Sequence, residues 1–562
     1  MSRLLYLALL ALGLGFTAPV RGETAVTARH GMVVAQEARA ARIGVEVLAK
    51  GGNAVDAAVA TGFALAVTYP RAGNIGGGGY MVIHRAGQNA DVAIDYRERA
   101  PAATTRDIFL DENGDADPRR SRDSALAIGV PGTVAGLALA HRRYGSGLFS
   151  LAQLIAPAIA LAREGFPVED DIADSLPRVR TRLARWPSSA KIFLKGDGST
   201  LASGDTLVQR DLAATLEAIA RGGAAAFYEG AIAEKLVAAV RAAGGIMTRE
   251  DLKDYRPIVR RPVRGTYRGY GIVSMPPSSS GGVVLIEMLN ILEGYKLSEP
   301  RTDAGLRLHL MIEAMKRGYA DRATYLGDPA VVSAPLARLM SKRYAATQRA
   351  DIDPERARPV GEASAAPPRE GENTTHFSVV DRFGNAVSNT YTLNFSYGVG
   401  MVADGTGVLL NNELDDFAAK PRVPNAYGLI GGDANAPGPG KRPLSSMTPT
   451  IVLKNGRPFL VTGSPGGSRI ITAVLGIITN VIDLDMGVVE AVAAPRIHHQ
   501  WSPDEVAAER GLPADVIRAL EARGHKVRQI MPGTSANSIL VTPQGFVGAA
   551  DQRTRGALAA GY

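Results

Sequence analysis

The sequence predicts an α+β protein of layered sheets with helices outside them, and three observations carry that expectation. After Thr374 short strand runs alternate with helix runs, the pattern of stacked layers. Between residues 125 and 322 the apolar spacing is mostly helical. The chain has 562 residues, 46% of them apolar, which allows a sizeable core and excludes wholesale disorder.

Taken in order, Met1-Ser2-Arg3 precedes an apolar run from Leu4 to Phe16 and small residues up to Gly22. A basic start, a short apolar stretch and a small-residue cleavage site read as a secretory signal over residues 1–22. The run falls short of the roughly 20 apolar residues that a membrane span needs. The mature chain is expected to start near Glu23, periplasmic or secreted and without a membrane anchor. Residues 27–34 read as a strand, and residues 36–68 as one or two helices broken at Gly51-Gly52-Asn53. The Ala-rich run 54–67 suits a helix lying close to a neighbouring layer.

Residues 73–79 are Gly-rich and lead into a strand at 80–84. They lack the Lys-Ser/Thr ending of a P-loop and precede a strand instead of following one. Close backbone packing beside a site is therefore expected there, not a bound cofactor. Residues 92–96 pair with that strand as a hairpin and end at Arg97, which taken alone is a surface ion-pair residue. Helices at 151–164 (started by Ser150), 209–221, 231–243 and 303–319 enclose a strand pair around 263–275. Residues 276–282 open a further helix at 283–292. The net charge is +8, with a local cluster at Arg178, Arg180, Arg182 and Arg185. No aromatic-interleaved patch or nucleic-acid motif accompanies it, so it is read as a solvated helix face.

From Asp351 to Glu372 a Pro/Ala/Arg/Glu-rich tract shows no apolar periodicity, and at Asn373-Thr374 the character changes within one residue to strand. Strands at 374–381 and 386–393 flank a turn at 382–385. Further strands are expected at 408–410, 450–453, 458–462, 538–541 and 545–549, and helices at 469–482, 488–493 and 514–523. A Thr at the border of a featureless tract and a core strand makes sense if the chain is cut there, leaving Thr374 as a new N-terminus. Alone, Thr374 is simply a good strand former.

The chemistry narrows the choice. There are no cysteines, which removes thiol nucleophiles, disulfides and thiolate metal sites. The eight histidines form no HExxH, and His498-His499 would face opposite sides of a strand, so no metal is expected. A hairpin turning at Phe383-Gly384 sets Thr374 opposite Thr392 or Leu393, with Asn394 just beyond. An N-terminal Thr carries its own base, because an α-amino group has a pKa of about 7.7–8.0. Residues 463–468 run from strand through a glycine turn to helix, a geometry that frees backbone N–H groups for an oxyanion.

These blocks resemble the γ-glutamyltransferases (glutathione hydrolase proenzymes) of the N-terminal-nucleophile hydrolase superfamily. The likeness is strongest at Thr374-Thr375-His376, residues 390–394, 410–417, 443–447 and 463–468. It implies a four-layer αββα sandwich and self-cleavage between Asn373 and Thr374. The products would be a large subunit (23–373) and a small subunit (374–562) held as one heterodimer. Thr374 would attack the γ-glutamyl amide of glutathione or related γ-glutamyl compounds. Thr392 would assist the nucleophile, and the Gly466 and Gly467 N–H groups would form the oxyanion hole. Arg97, Ser445 and Ser446 would hold the substrate α-carboxylate; Asp416, Asn394 and Glu413 would hold its α-amino group. Residues 421–442, with Tyr427, would form a lid. Water or an amino acid or dipeptide acceptor would take the acyl group, with no cofactor. Two other readings stand beside it: a cephalosporin or glutaryl acylase of the same superfamily, and a periplasmic binding protein without chemistry.

Overall fold

The computed structural model describes residues 25–299, 301–360 and 374–562. The signal segment 1–22 and Asn373 lie outside the described residues. Among the described residues fourteen strands make the two large sheets: β1 (Val26–Ala28), β2 (Gly31–Ala35), β3 (Gly78–Arg85), β4 (Ala90–Asp95), β5 (Ile258–Arg260), β6 (Val263–Tyr267) and β7 (Tyr270–Ser274), then β8 (Thr374–Asp381), β9 (Ala386–Thr392), β10 (Thr450–Lys454), β11 (Arg457–Thr462), β12 (Asn537–Thr542), β13 (Gly545–Ala550) and β14 (Leu558–Gly561). One sheet runs β1-β13-β12-β11-β10-β7-β6, the other β14-β2-β8-β9-β3-β4-β5, and every pairing is antiparallel.

The sheets stack on one another. Met32, Val34, Tyr80, Val82, Val273, Ile451 and Val461 form a core between them. Alternate residues of β2, Val33 and Ala35, belong to a second core with the helices outside. A strand alternating between two buried faces reads as a continuous apolar run, as Gly31–Ala35 does. Helices α1 (Ala38–Ala49) and α2 (Ala54–Thr68) cover the second sheet. On the first sheet lies α3 (Gly281–Leu292), with α4 (Ala304–Tyr325) packed on it and α5 (Ile470–Ile482), α6 (Val488–Ala493) and α7 (Ala514–Ala522) alongside. The order is helix, sheet, sheet, helix, as expected.

Local chemistry explains the element ends. All 15 residues of α2 are buried, which fits a helix apolar on every side. Each Val or Leu so buried contributes about 1.5–3 kcal/mol. The Gly51-Gly52-Asn53 break is its cap: Asn53 Oδ1 accepts the Val55 and Asp56 N–H groups at 2.9 and 3.0 Å, and Asp56 Oδ2 accepts the Asn53 N–H at 3.0 Å.

Three local expectations are corrected. Residues 27–34 are two strands in different sheets, β1 and β2; the exposed Arg29 and His30 carry the chain across, both N–H groups donating to the Tyr562 carbonyl. The small-residue strand β14 and a three-stranded side sheet (Ile497–His498, Val506–Glu509, Val527–Ile530) were not expected, because none has a strong strand pattern. In the arginine cluster, Arg178, Arg180 and Arg185 are exposed, but Arg182 turns inward onto the Ser396 carbonyl, and burial lowers its pKa to about 10.

Both sheets contain strands from before residue 361 and strands from after 373. Parting the two stretches would break both sheets at once. Among the described residues no helix is long and apolar enough to cross a membrane.

Candidate active site

The site is built at the start of β8. The hairpin register sets Thr374 opposite Thr392, one of the two pairings expected. Thr374 Oγ1 donates to Thr392 Oγ1 at 3.2 Å, and Thr392 Oγ1 also accepts the Asn394 N–H at 3.0 Å. Asn74 locks this corner: its Nδ2 donates to the Thr392 carbonyl at 2.8 Å, and its Oδ1 accepts the Gly77 N–H at 2.9 Å and the Thr133 hydroxyl at 2.7 Å. A Cβ on Gly77 would lie 2.1 Å from the Thr392 carbonyl oxygen, and one on Gly76 2.2 Å from that of Leu409. The Gly-rich loop is thus the close packing beside a site that its sequence suggested.

The turn between β11 and α5 faces Thr374. Gly466 has φ +131° and Gly467 φ +57°, conformations that glycine adopts at little cost. Among the described residues neither N–H has a hydrogen-bond acceptor. Gly467 lines the cleft with Thr374, Thr392, Asn394, Arg97, Glu413, Asp416, Ser445, Ser446 and Tyr427. Ten of the residues singled out from sequence therefore share one cleft, with Gly466 directly behind.

Arg97 follows β4 and is fully buried. Asp95 Oδ1 accepts its N–H at 3.0 Å, the Tyr255 hydroxyl donates to its carbonyl at 2.8 Å, and its Nε donates to the Pro443 carbonyl at 3.1 Å. Its two Nη atoms pair with Glu413 and Asp416, not with Ser445 and Ser446. A guanidinium without exposed surface needs counter-charge, and a neutral hydroxyl supplies none. Ser445 is held in its backbone by the 278–280 turn, its N–H donating to the Ser278 carbonyl at 3.0 Å and its carbonyl accepting the Ser280 N–H at 2.8 Å. Ser446 Oγ accepts a 3.4 Å contact from Arg322 Nη2, whose Nε reaches Ser280 Oγ at 3.0 Å.

Arg322 and Glu98 are the two residues the sequence reading missed. Arg322 sits inside α4, and nothing local separates it from a surface arginine. Glu98 simply follows Arg97; its Oε2 lies 3.9 Å from Arg97 Nη1, and neither carboxylate oxygen has a hydrogen-bond partner. Burial pushes Glu98 up to about 7 and also raises Glu413 and Asp416 above the usual carboxylate range. Burial lowers Arg322, whereas for Arg97 the surrounding acids outweigh burial and hold it charged. The cleft thus sets Glu413 and Asp416 against Arg97, with Glu98 and Arg322 behind them, a mixture of signs suited to a zwitterion.

Tyr427 closes the cleft. Its ring stacks on Phe395 at 5.1 Å, and its hydroxyl donates to the Asn394 side-chain and main-chain oxygens at 2.9 and 3.1 Å. The cleft left beneath it measures only about 20 Å³, little more than one water. A metal-type grouping lies elsewhere, at His309, Glu313 and His525. There the two imidazoles hydrogen-bond at 2.8 Å, and Lys316 (3.1 Å) and Arg317 (2.8 Å) occupy the carboxylate, which stands against a cation.

Comparison with known proteins places the chain among relatives over nearly its whole length. The family profile described as Gamma-glutamyltranspeptidase matches residues 40–561. The glutathione hydrolase proenzyme of Escherichia coli (strain K12) is 50% identical over 540 residues, 96% of this chain and 93% of that one. The structure of Helicobacter pylori gamma-glutamyltranspeptidase is similar at 44% identity and a TM-score of 0.57, covering 61% of this chain and 95% of that one. Cephalosporin acylase from Bacillus halodurans is similar in fold at a TM-score of 0.83 and 28% identity, covering 99% of both chains.

Proposed function

The chain belongs to the gamma-glutamyltranspeptidase family, and on that premise we propose that it is a self-cleaving γ-glutamyl transferase and hydrolase with Thr374 as nucleophile. The supporting observation is the meeting, in one cleft, of the Thr374–Thr392 hydroxyl pair, the glycine turn and the Arg97–Asp416–Glu413 cluster.

In the precursor the Thr374 hydroxyl adds to the Asn373 carbonyl carbon, and the C–N bond breaks in favour of an ester. Water then hydrolyses the ester, leaving a carboxylate on Asn373 and a free amine on Thr374. The pieces 23–373 and 374–562 stay together because both sheets contain strands of each. Signal removal at about residue 22 would place the protein in the periplasm or outside the cell.

In the mature enzyme the Thr374 amine takes the proton of its own hydroxyl as Oγ1 attacks the γ-carbonyl. The Gly466 and Gly467 N–H groups stabilise the oxyanion. The proton passes to the leaving amine, and a γ-glutamyl ester remains on Oγ1. Water gives glutamate; an amino acid or dipeptide amine gives a new γ-glutamyl compound. Arg97, Ser445 and Ser446 take the α-carboxylate, and Asp416, Glu413 and Asn394 the ammonium. The pairing of Arg97 with Glu413 and Asp416 makes this an exchange: the entering carboxylate displaces an acid from the guanidinium, and that acid is released to the entering ammonium. Charge is conserved throughout. Tyr427 must swing to admit the donor.

A denaturing gel of the wild-type protein should show two fragments, and Thr374→Ala one. The cut protein should turn over γ-glutamyl-p-nitroanilide in preference to glutaryl-7-aminocephalosporanic acid, whose acyl chain lacks the amine. A folded wild type that stays uncut removes the mechanism; the reverse substrate preference makes the protein an acylase.

A further inference from the structure

A second cavity lies away from the active site, between α4, α5 and α7, with a volume of about 280 Å³. That is near the lower edge of the range for small-molecule pockets, about 300–1,000 Å³. Its wall is largely apolar. From α4 come Arg307, Met311 and Met315, spaced four residues apart on one helix face; Ile477, Met486 and Val516 stand opposite. Methionines adapt to an occupant of irregular shape. Gly476 of α5 also lines the cavity, and a Cβ there would meet nothing within 4 Å.

The polar groups of the wall differ in one respect. Arg496 is paired with Asp551 at 2.6 Å, Thr472 Oγ1 bonds the Arg469 carbonyl at 3.0 Å, and Asn480 Nδ2 bonds the Ala491 carbonyl at 3.4 Å. The Arg307 guanidinium has no ion-pair or hydrogen-bond partner among the described residues. The acids that act on it from a distance are occupied: Asp303 caps α4 through the Leu306 N–H at 2.8 Å, and Asp483 accepts from the Tyr267 hydroxyl at 2.6 Å and Arg268 Nε at 2.9 Å. Arg307 is half-buried, and burial works against its charge, which an incoming anion would offset.

We propose that this cavity binds a small amphipathic carboxylate, with its apolar tail among Met311, Met315 and Met486 and its head on Arg307. The two regions supply the two halves of such a ligand. The site is independent of γ-glutamyl chemistry and shares no residue with the catalytic cleft.

The test is calorimetric titration of the full protein with octanoate and with 1-octanol, with Tm measured alongside. Octanoate should bind at least about tenfold more tightly than octanol, the scale of one charge-assisted contact. Arg307→Gln should bring octanoate down to the level of octanol. Gly476→Leu, which pushes a branched side chain into the cavity, should weaken binding of both at least about tenfold without lowering Tm. Three results overturn the proposal: neither heat nor a rise in Tm from octanoate, equal binding of the two probes to the wild type, or binding undiminished by Gly476→Leu. If Gly476→Leu fails to fold, Arg307→Gln decides alone, and undiminished octanoate affinity there overturns the proposal.

Discussion

Gly466→Ala gives a sharp test of the glycine turn, because its consequence can be worked from two observations. The backbone at Gly466 has φ +131°, and holding a non-glycine residue in so sparsely populated a region costs of order 1–3 kcal/mol. The new Cβ would lie 2.5 Å from Thr534 Cγ2 and 2.8 Å from the Gly533 carbonyl oxygen, and that oxygen is backbone with little room to retreat. The turn must therefore rotate, carrying its N–H away from the proposed position of the oxyanion. Losing one such donor lowers kcat by about 10²–10³, or roughly 2.7–4 kcal/mol. Donor KM, which the proposed mechanism assigns to Arg97 and Asp416, should hardly change. The assay is initial rates on γ-glutamyl-p-nitroanilide, normalised to the cut fraction, with Tm measured in parallel. Gly476→Ala in α5 is the control: its Cβ meets nothing within 4 Å, so its rate should match the wild type. A Gly466→Ala protein with unchanged Tm and kcat within about threefold of wild type (under 1 kcal/mol) would refute the oxyanion assignment.

Three further outcomes are expected. Thr392→Val deprives Thr374 Oγ1 and the Asn394 N–H of their acceptor, at about 1–3 kcal/mol for each buried donor, so kcat should fall roughly 10- to 100-fold and Thr392→Ser should restore it; an unchanged kcat in the Val variant sinks the idea. Glu98 is pushed up to about 7 by burial, so the folded protein binds its proton more tightly than the unfolded chain, and stability drains away as pH rises from about 4.5 through 7. Glu98→Gln should flatten that slope in Tm measured from pH 5 to 8, a difference of up to about 3 kcal/mol; parallel curves for both proteins would disprove it. His525, facing His309, Glu313, Lys316 and His499, is lowered by burial to about 3, so the unfolded chain takes the proton first and stability falls with pH from about 6.5 toward 3. His525→Gln should make the acid side of the stability curve shallower, and an unaltered acid limb in urea titrations would count against it.

The layered α+β class and the pairing of Thr374 with Thr392 were legible in the residues because each is a local matter. Period-two and helical spacings are written along the chain, and the turn at Phe383-Gly384 sets the Thr374–Thr392 register within about twenty residues. The Gly466-Gly467 turn was legible for the same reason, since strand, glycine and helix follow one another directly. Arg97 and the 413–416 block were recognised as residues but not as partners of one another. They lie more than 300 positions apart, and only the closing of the second sheet brings the buried guanidinium onto Glu413 and Asp416. Arg322, Glu98 and the Arg307 cavity were not legible at all, because an arginine within a helix looks the same whether it meets solvent, a serine or an empty apolar wall. The sequence by itself determined which two hydroxyls meet at the start of the hairpin, since short-range spacing dictates that register, and its family blocks pointed to Thr374 as the proposed nucleophile. Tertiary structure alone decided which charges face that hydroxyl, because burial and counter-charge depend on what the rest of the chain packs against.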